Sequence, residues 1–421
     1  MLSEIKIAVY GLGYVGLPLA LKFGEKFKTI GFDIDPDRIN DLKNYIDKNA
    51  ETTEKEFKRA NLLTFTSKWE DIKKCNFFIV TLPTPIDDQN NPDLTMLENG
   101  TKEISKCLKP NDIVVYESTV FPGCTEEFMV PILEASGLKY NHDFFCGYSP
   151  ERINPGDKTK SVSDIVKITS GSNEKASRII HNVYSEIIDA GIYSVNSIKI
   201  AEAAKVIENI QRDINIALIN ELSIIFNKIN IDTEEVLQAA ETKWNFQKFR
   251  PGLVGGHCIG VDPYYLTFKS RMSGYEPKFI LSGRNVNNKM SDYIVKELTN
   301  LMRKKNIKIK NSNLLILGVT FKENCKDIRN SKVFEIINKM SDLGTNVDIC
   351  DPWVKTKDLP ERYKSKLVSN PSNNYYDTII LAVAHDEFKK KAYQIIKYKK
   401  RKSIIYDLKH ILPKEQSDLR L

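Results

Sequence analysis

At 421 residues the chain is too long for one ordinary core, and 41% hydrophobic with 28% charged residues is the composition of a globular protein of two or three domains. A net charge of +7 is modest for this length; it excludes the dense basic stripe of a nucleic-acid binder and leaves an anionic substrate as the milder account of the excess. No apolar run reaches the roughly 18 residues of a membrane span, the start Met1-Leu2-Ser3-Glu4 lacks a signal-peptide layout, and seven cysteines without a CxxC pair exclude zinc and disulfide frameworks, so a reducing cytoplasm with neither metal nor membrane partner is expected.

In chain order, residues 5–10 read as a buried strand, Gly11-Leu12-Gly13-Tyr14-Val15-Gly16 follows at once, and 17–27 read as a helix. Residues 29–33 form a second strand that ends on Asp33. Strand, GxGxxG, helix, strand and acid at this spacing is the layout of a dinucleotide-binding fold. The glycines make the tight turn and admit a pyrophosphate, the helix start offers its amides, and the acid takes a ribose 2′-hydroxyl. Asp33 repels a 2′-phosphate and favours NAD over NADP, while Arg38 is placed to reverse that preference. Strands at 76–80 and 112–116 run into Thr81-Leu82-Pro83-Thr84-Pro85 and Glu117-Ser118-Thr119-Val120, both positioned to touch the cofactor beyond a parallel sheet. A strand at 144–148 leads into the loop 149–156, which carries Glu151. His142 and His181 have no ligand-like partners and read as structural or exposed.

Residues 197–230 repeat apolar side chains at Ile207, Ile210, Ile214, Leu218, Leu222, Ile225 and Ile229 with no internal proline or glycine. A helix of that length joins domains and offers a dimer face. Lys205, Asn209 and Arg212 share its other face, which is either a solvated stripe or the cation and amide of a carbonyl site. After a short helix at 237–242 comes a run from Arg250 to Tyr265 that sets Cys258 among four glycines and two prolines, with Asp262 four residues on. Neither a helix interior nor a central strand accommodates that run. Helical sequence covers 277–302, and polar residues at 303–313 mark a boundary. A fresh α/β rhythm follows, with strands at 314–317, 346–350, 378–383 and 403–406 and a helix at 331–343. Its first turn, Gly318-Val319-Thr320-Phe321-Lys322, lacks GxGxxG, so its ligand is not a second dinucleotide; Lys322, Asp327 and Arg329 cluster there to meet phosphates. Lysines at 389–391 and 397–402 read as a solvated helix face or surface loop, and 416–421 as a tail. The expected fold is α/β: a Rossmann domain at 1–196, a helical middle domain with the cysteine loop at 197–305, and a Rossmann-like domain at 306–421.

A nicotinamide site combined with a nucleophilic cysteine defines a narrow chemistry. An aldehyde is oxidised to an acid when a thiolate adds to the carbonyl, hydride leaves the thiohemiacetal and water cleaves the thioester. Amides around Cys258, or the Lys205 cation, would favour the thiolate and hold the developing oxyanion. The competing reading is a small buried hydrophobe, to which Cys75, Cys107, Cys124, Cys146 and Cys350 are assigned; Cys325 stands beside Lys322 and Lys326 but lacks the glycine frame. His257 is an obvious base next to the thiol, yet adjacent loop residues often point apart, and it reads as shaping the loop.

The chain resembles the UDP-glucose/GDP-mannose dehydrogenase family over nearly its whole length. The motifs that carry this are GLGYVGLPLA at 11–20, LPTP at 82–85, ESTVFPG at 117–123, SPERINPG at 149–156, AKVIEN at 204–209, GGHCIGVDPYYL at 255–266 and GVTFKENCKDIRNS at 318–331. The resemblance implies an NAD-binding domain, a helical dimerising middle and a UDP-sugar-binding C-terminal domain, forming a homodimer or larger homo-oligomer. It also implies a double oxidation of a sugar C6 from alcohol to carboxylate with two NAD. By resemblance Cys258 is the nucleophile, Lys205 the base or oxyanion stabiliser with Asn209 helping, Asp262 and Thr119 the water-positioning groups, and Glu151 the acid/base of thioester hydrolysis. Gly11, Gly13, Tyr14, Val15, Gly16, Asp33, Arg38, Thr84, Pro85, Ser118, Thr119 and Arg329 would meet NAD. Glu151, Arg152, Lys205, Asn209, Arg212, Arg250, Gly252, Gly255, Tyr264 and Lys322 would meet the UDP-sugar. The UDP-glucose branch commonly has serine before the cysteine, lysine before the aspartate and a second glutamate at the position of Pro155; here His257, Val261 and Pro155 stand instead. The wording is more similar to the branch acting on UDP-N-acetylglucosamine or UDP-N-acetylgalactosamine, whose products feed capsule, Vi-type or O-antigen polysaccharides. UDP-glucose, UDP-N-acetylmannosamine or GDP-mannose oxidation, a two-electron hydroxyacid dehydrogenase of the 6-phosphogluconate type, and a redox sensor switched at Cys258 are the alternatives.

Overall fold

The computed structural model describes residues 2–49, 51–153 and 161–421. The chain gathers into two compact units, Met1–Glu208 with Tyr264–Glu276, and Asn209–Pro263 with Pro277–Leu421. Residues expected to form a middle domain are shared out between them.

The first unit is built on a sheet in the order β3-β2-β1-β4-β5-β6-β7-β8. Its strands are β1 (Lys6–Tyr10), β2 (Lys28–Phe32), β3 (Leu63–Thr66), β4 (Phe77–Val80), β5 (Ile113–Tyr116), β6 (Phe145–Tyr148), β7 (Lys167–Gly171) and β8 (Ile192–Ser194). Pairings are parallel except β6 with β7, which places Gly147 opposite Gly171. The near-continuous apolar strands β1, β4 and β5 are buried on both faces, as parallel strands under helices must be. Strand order reverses between β1 and β4, whose register sets Tyr10 opposite Val80. The crevice beyond the carboxyl ends at such a reversal is where this architecture takes ligands. β7, β8 and β3 are additions to the expected strands. β7 carries a lysine at its start, and β8 and β3 are short and partly exposed, so none has the unbroken apolar signature.

The second unit repeats the scheme with a parallel sheet in the order β10-β9-β11-β12-β13: β9 (Asn313–Leu317), β10 (Asn346–Cys350), β11 (Tyr376–Leu381), β12 (Lys399–Asp407) and β13 (Leu419–Arg420). Two expectations are corrected here. Residues 416–421 are not a tail: β13 pairs Tyr406 with Leu419, and Leu421 is buried. The basic stretch 397–402 is neither helix face nor loop at its end; it opens β12, where Lys400 pairs with Asp377 at 2.9 Å.

The long helix is Ile198–Lys228. Its facing follows a simple periodic reading only in part: Ile210 is buried as expected, and Ile214 and Leu222 are half-buried. Lys205, Asn209 and Asp213 are buried, whereas Ile207, Leu218 and Ile225 are 53%, 53% and 45% exposed. Of the expected solvated stripe, only Arg212 is exposed. The short helix expected at 237–242 lies earlier, at Thr233–Ala240, because Asp232 caps it by accepting from the Glu235 amide.

Candidate active site

Beyond β1 the chain turns at Gly11, whose φ of +93° suits glycine and whose amide donates to the Phe32 carbonyl at 2.9 Å. A methyl at Gly16 would lie 1.8 Å from the Gly11 carbonyl oxygen, so the helix Gly16–Gly24 packs directly on the turn. Gly13 has no atom within 4 Å of where a Cβ would stand, which leaves its outer side open to a ligand. Tyr14 and Val15 are half-buried at the helix entry. Asp33 accepts from the Leu12 amide at 2.8 Å and the Asp35 amide at 3.0 Å, and its remaining lone pairs suit a ribose hydroxyl. Arg38 is turned the other way. It donates to the Leu12 carbonyl from Nε at 3.0 Å and to Asp47 from Nη2 at 3.0 Å. That arrangement makes Arg38 a brace behind the turn. Open glycine, helix amides and a ribose acid together fit NAD.

The loops after β4 and β5 are stitched to one another. Thr84 Oγ1 donates to the Thr119 carbonyl at 2.7 Å, and Ser118 Oγ to the Leu82 carbonyl at 2.7 Å. Tyr265, from the helix Asp262–Met272, donates its hydroxyl to the Thr84 carbonyl at 2.6 Å, with the Pro85 carbonyl at 3.3 Å. Glu202 accepts from the amides of Gly123 and Thr125 at 2.5 and 2.9 Å and anchors the end of the second loop.

Next to these loops lies a buried cluster that motif reading missed. Lys167 Nζ is 2.5 Å from Glu117 Oε2 and 3.4 Å from Glu151 Oε2. The Tyr184 hydroxyl donates to the other oxygen of Glu117. Burial pushes the Glu117 carboxyl up to about 7 against the pull of Lys167. Burial works against the Lys167 charge, yet its two carboxylates outweigh it and raise its pKa. Glu151 Oε1 accepts from the Arg152 amide at 2.6 Å and from the Ile153 amide. Its backbone carbonyl receives Lys205 Nζ at 2.6 Å. The Arg152 guanidinium reaches the Val166 carbonyl at 2.9 Å and Glu208 at 2.8 Å. Pro155, with the rest of 154–156, lies outside the described residues. A lysine amid Ile165, Val166 and Ile168 was the signal that could have exposed this cluster, since an unpaired ammonium does not sit in such a strand.

In the second unit the cysteine loop is held from several sides. Asn220 clamps Gly252, accepting from its amide at 2.8 Å and donating to its carbonyl at 3.0 Å. A methyl at Gly255 would meet the Asn330 carbonyl at 2.5 Å, and Gly256 has φ +83° against the Phe321 ring. Cys258 is exposed, and its carbonyl receives the amides of Val261 and Asp262 at 3.0 and 2.8 Å, so the thiol stands on a tight turn. Asp262 is buried and accepts from Asn209 Nδ2 at 2.6 Å; Arg212 Nη1 donates to Asn209 Oδ1 at 3.0 Å. Tyr264, two residues on, is half-buried. His257 is exposed and its Nε2 leans on Asp327 at 3.4 Å. Arg329 forks onto the same carboxylate. Burial would raise Asp327, but His257 and Arg329 hold it well below the usual carboxylate range. Arg250 is engaged by Glu234 at 2.7 Å and by Glu241.

A small pocket beside this loop is lined by Leu253, Gly255, Phe321, Lys322, Lys332 and Lys409 among others, and three lysines around one pocket suit a diphosphate. The turn after β9 places Asp351 on the Val319 amide at 2.7 Å, with His385 Nε2 at 3.2 Å from Asp351 and 3.1 Å from Thr320 Oγ1. No cluster of metal-ligating side chains occurs among the described residues.

Comparison with known proteins matches three family models in register. They are the UDP-glucose/GDP-mannose dehydrogenase NAD binding domain at residues 5–188, the central domain at 199–289 and the UDP binding domain at 315–414. A UDP-N-acetyl-D-glucosamine 6-dehydrogenase of Salmonella typhi is 54% identical over 422 residues, covering 100% of this chain and 99% of that protein. One of the same name from Pseudomonas aeruginosa is also 54% identical and covers 100% of both. Among solved structures, the UDP-D-ManNAc dehydrogenase of Pyrococcus horikoshii superposes with a TM-score of 0.88 at 29% identity over 97% of this chain and 96% of that one.

Proposed function

Because the chain belongs to the UDP-glucose/GDP-mannose dehydrogenase family and is an NAD-dependent UDP-sugar 6-dehydrogenase, we propose that its substrate is a UDP-N-acetylhexosamine. UDP-N-acetylglucosamine comes first and UDP-N-acetylgalactosamine second, with C6 oxidised to the uronic acid through a thioester on Cys258. The two relatives at 54% identity carry the first name. The observation that carries the mechanism is the inward face of the long helix. Lys205 and Asn209, one turn apart, are both buried, the first donating to the Glu151 carbonyl and the second to Asp262, four residues beyond the thiol. Buried polar side chains on a helix otherwise flanked by exposed isoleucines need such partners, and here the partners are the residues that thioester chemistry calls for.

The residues divide the work. The pocket lysines, Lys322 foremost, and the Gly252–Gly256 backbone would hold the UDP, and Gly11, Gly13, Gly16 and Asp33 the cofactor. NAD, when bound, supplies the hydride acceptor for both oxidations. Lys205 takes the hydroxyl proton and then stabilises the oxyanion with Asn209. Cys258 adds to the aldehyde carbon and later leaves as thiolate. Asp262 and Thr119 orient the water, and Glu151 accepts its proton during hydrolysis. The exposed apolar stripe of the long helix supports a homodimer or larger homo-oligomer. A thiolate nucleophile supports a cytoplasmic setting. The product, a charged sugar nucleotide, is suited to surface polysaccharide synthesis.

The test is a panel of UDP-sugars assayed for NADH yield and product mass. Two NADH per UDP-N-acetylglucosamine, with a carboxylate product, is the expected result. One NADH per sugar would replace it with a two-electron dehydrogenase, and turnover confined to UDP-glucose would overturn the substrate assignment.

A further inference from the structure

Lysine is among the least expected residues in a buried strand, yet β7 begins with Lys167, 4% exposed. An ammonium withdrawn from water costs several kcal/mol unless well paired. Here the pairing is double: Glu117 Oε2 at 2.5 Å and Glu151 Oε2 at 3.4 Å share one cation. Among the described residues, the charged and titratable groups around Glu151 are these. Lys205 meets its backbone carbonyl, not its carboxylate. The Arg152 side chain turns to Val166 and Glu208, and Tyr184 stands behind Glu117. Among the described residues, Lys167 is therefore the cation paired with the Glu151 carboxylate. Remove it and two buried carboxylates face each other, a situation in which one must take a proton.

We propose that Lys167 is a positioning residue that keeps the Glu151 carboxylate ionised and aimed, and that Glu117 sets how much of the Lys167 charge Glu151 receives. The proposal rests on the reading of Glu151 as acid/base in thioester hydrolysis. On this proposal Lys167 and Glu117 act through Glu151. Glu117 acts as a counterweight: its own ionisation near neutral pH draws Lys167 away from Glu151, and its protonation returns it.

The experiment is the pH profile of kcat and KM for UDP-N-acetylglucosamine in the wild type, Lys167→Met, Lys167→Arg, Glu117→Gln and Glu151→Gln, with intact-mass detection of a Cys258 adduct. In Lys167→Met the acidic limb of kcat is expected to move up by about one pH unit or more, with KM nearly unchanged. Lys167→Arg restores the limb. Glu117→Gln, nearly isosteric, moves it the opposite way, to lower pH. A purely structural role lowers kcat at every pH and leaves the limb in place. An unmoved limb in Lys167→Met, or shifts of the same sign in Lys167→Met and Glu117→Gln, overturns the proposal. Should Lys167→Met fail to fold, the Glu117→Gln shift decides by itself, and its absence is negative. Glu151→Gln separates the two layers. If it turns over like wild type, the reading of Glu151 falls. If it accumulates the adduct while the limb in Lys167→Met stays put, only the role of Lys167 falls.

Discussion

The two units contain the same turn, put to opposite uses. After β1 and after β9 the chain passes through a glycine of positive φ, Gly11 at +93° and Gly318 at +87°. The glycine amide bonds to the end of the neighbouring strand, Phe32 or Cys350, at 2.9 Å in both. The residue after the glycine gives its amide to an aspartate that follows that strand, Leu12 to Asp33 and Val319 to Asp351. The aspartates then bind the amide two residues on, at 3.0 and 2.8 Å. There the likeness stops. Asp33 is half-exposed, and Gly13 leaves the space above it open. Asp351 is capped by His385, which also bonds Thr320, the residue in the place of Gly13. One turn leaves its acid partly exposed beside an open glycine; the other commits it to an internal imidazole. Backbone geometry supplies a nucleotide-shaped turn, and a few side chains decide which nucleotide part it can greet.

The comparison can be broken most severely at Gly16. Valine there would drive its Cβ into the Gly11 carbonyl and Thr81. Loss of NAD binding by about 100-fold or more, or failure of the first unit to fold, is expected. Isothermal titration with NAD and a melting curve tell the two apart. The next effect comes from treating the two aspartates alike. Asp351→Ala strips a buried acid from two amides and His385, and should cost about 2–4 kcal/mol of stability while leaving the KM for NAD in place. Asp33→Ala should do the reverse: about tenfold weaker NAD, a narrowed advantage over NADP, and a small change in melting. If the two variants behave alike, the turns are not differently used. The smallest effect is in pH. Glu117 in the first unit titrates up near 7, so its contribution to stability is full below the unfolded carboxylate value and is lost as pH rises through about 7. Asp327 in the second unit is depressed, so its contribution is present above the unfolded value and lost only as acid is added. Glu117→Gln should flatten the melting profile between about pH 5 and 8, by at most about 1.4 kcal/mol per pH unit, and Asp327→Asn should leave that window unchanged.

Much of this was legible from residues alone, for physical reasons. The turn at Gly11–Gly16 and the acid at Asp33 are local, and local patterns survive without knowledge of tertiary contacts. The Cys258 loop announced itself because glycine and proline at that density exclude regular structure. The long helix was legible in length but only in part in facing. An apolar period marks one face of a helix, and exposed isoleucines look the same in sequence as isoleucines in a core. Lys205 and Asn209 were weighed as a solvated stripe for the same reason, and their burial depends on Glu151 and Asp262, more than fifty residues away. The Glu117–Lys167 pair is the clearest omission. Its partners are fifty residues apart, and each alone reads as an ordinary charged residue. Leu419 and Arg420 escaped because a strand of two residues pairs by position, not by pattern.

The central claim is that Cys258 carries the sugar as a thioester during the second oxidation. Cys258→Ser, incubated with UDP-N-acetylglucosamine and NAD and followed by NADH yield and product mass, tests it most directly. The account predicts loss of net acid formation, with at most one NADH per sugar and a species at the aldehyde level or held as a serine adduct. Uronic acid formed at the wild-type rate with two NADH per sugar would contradict it.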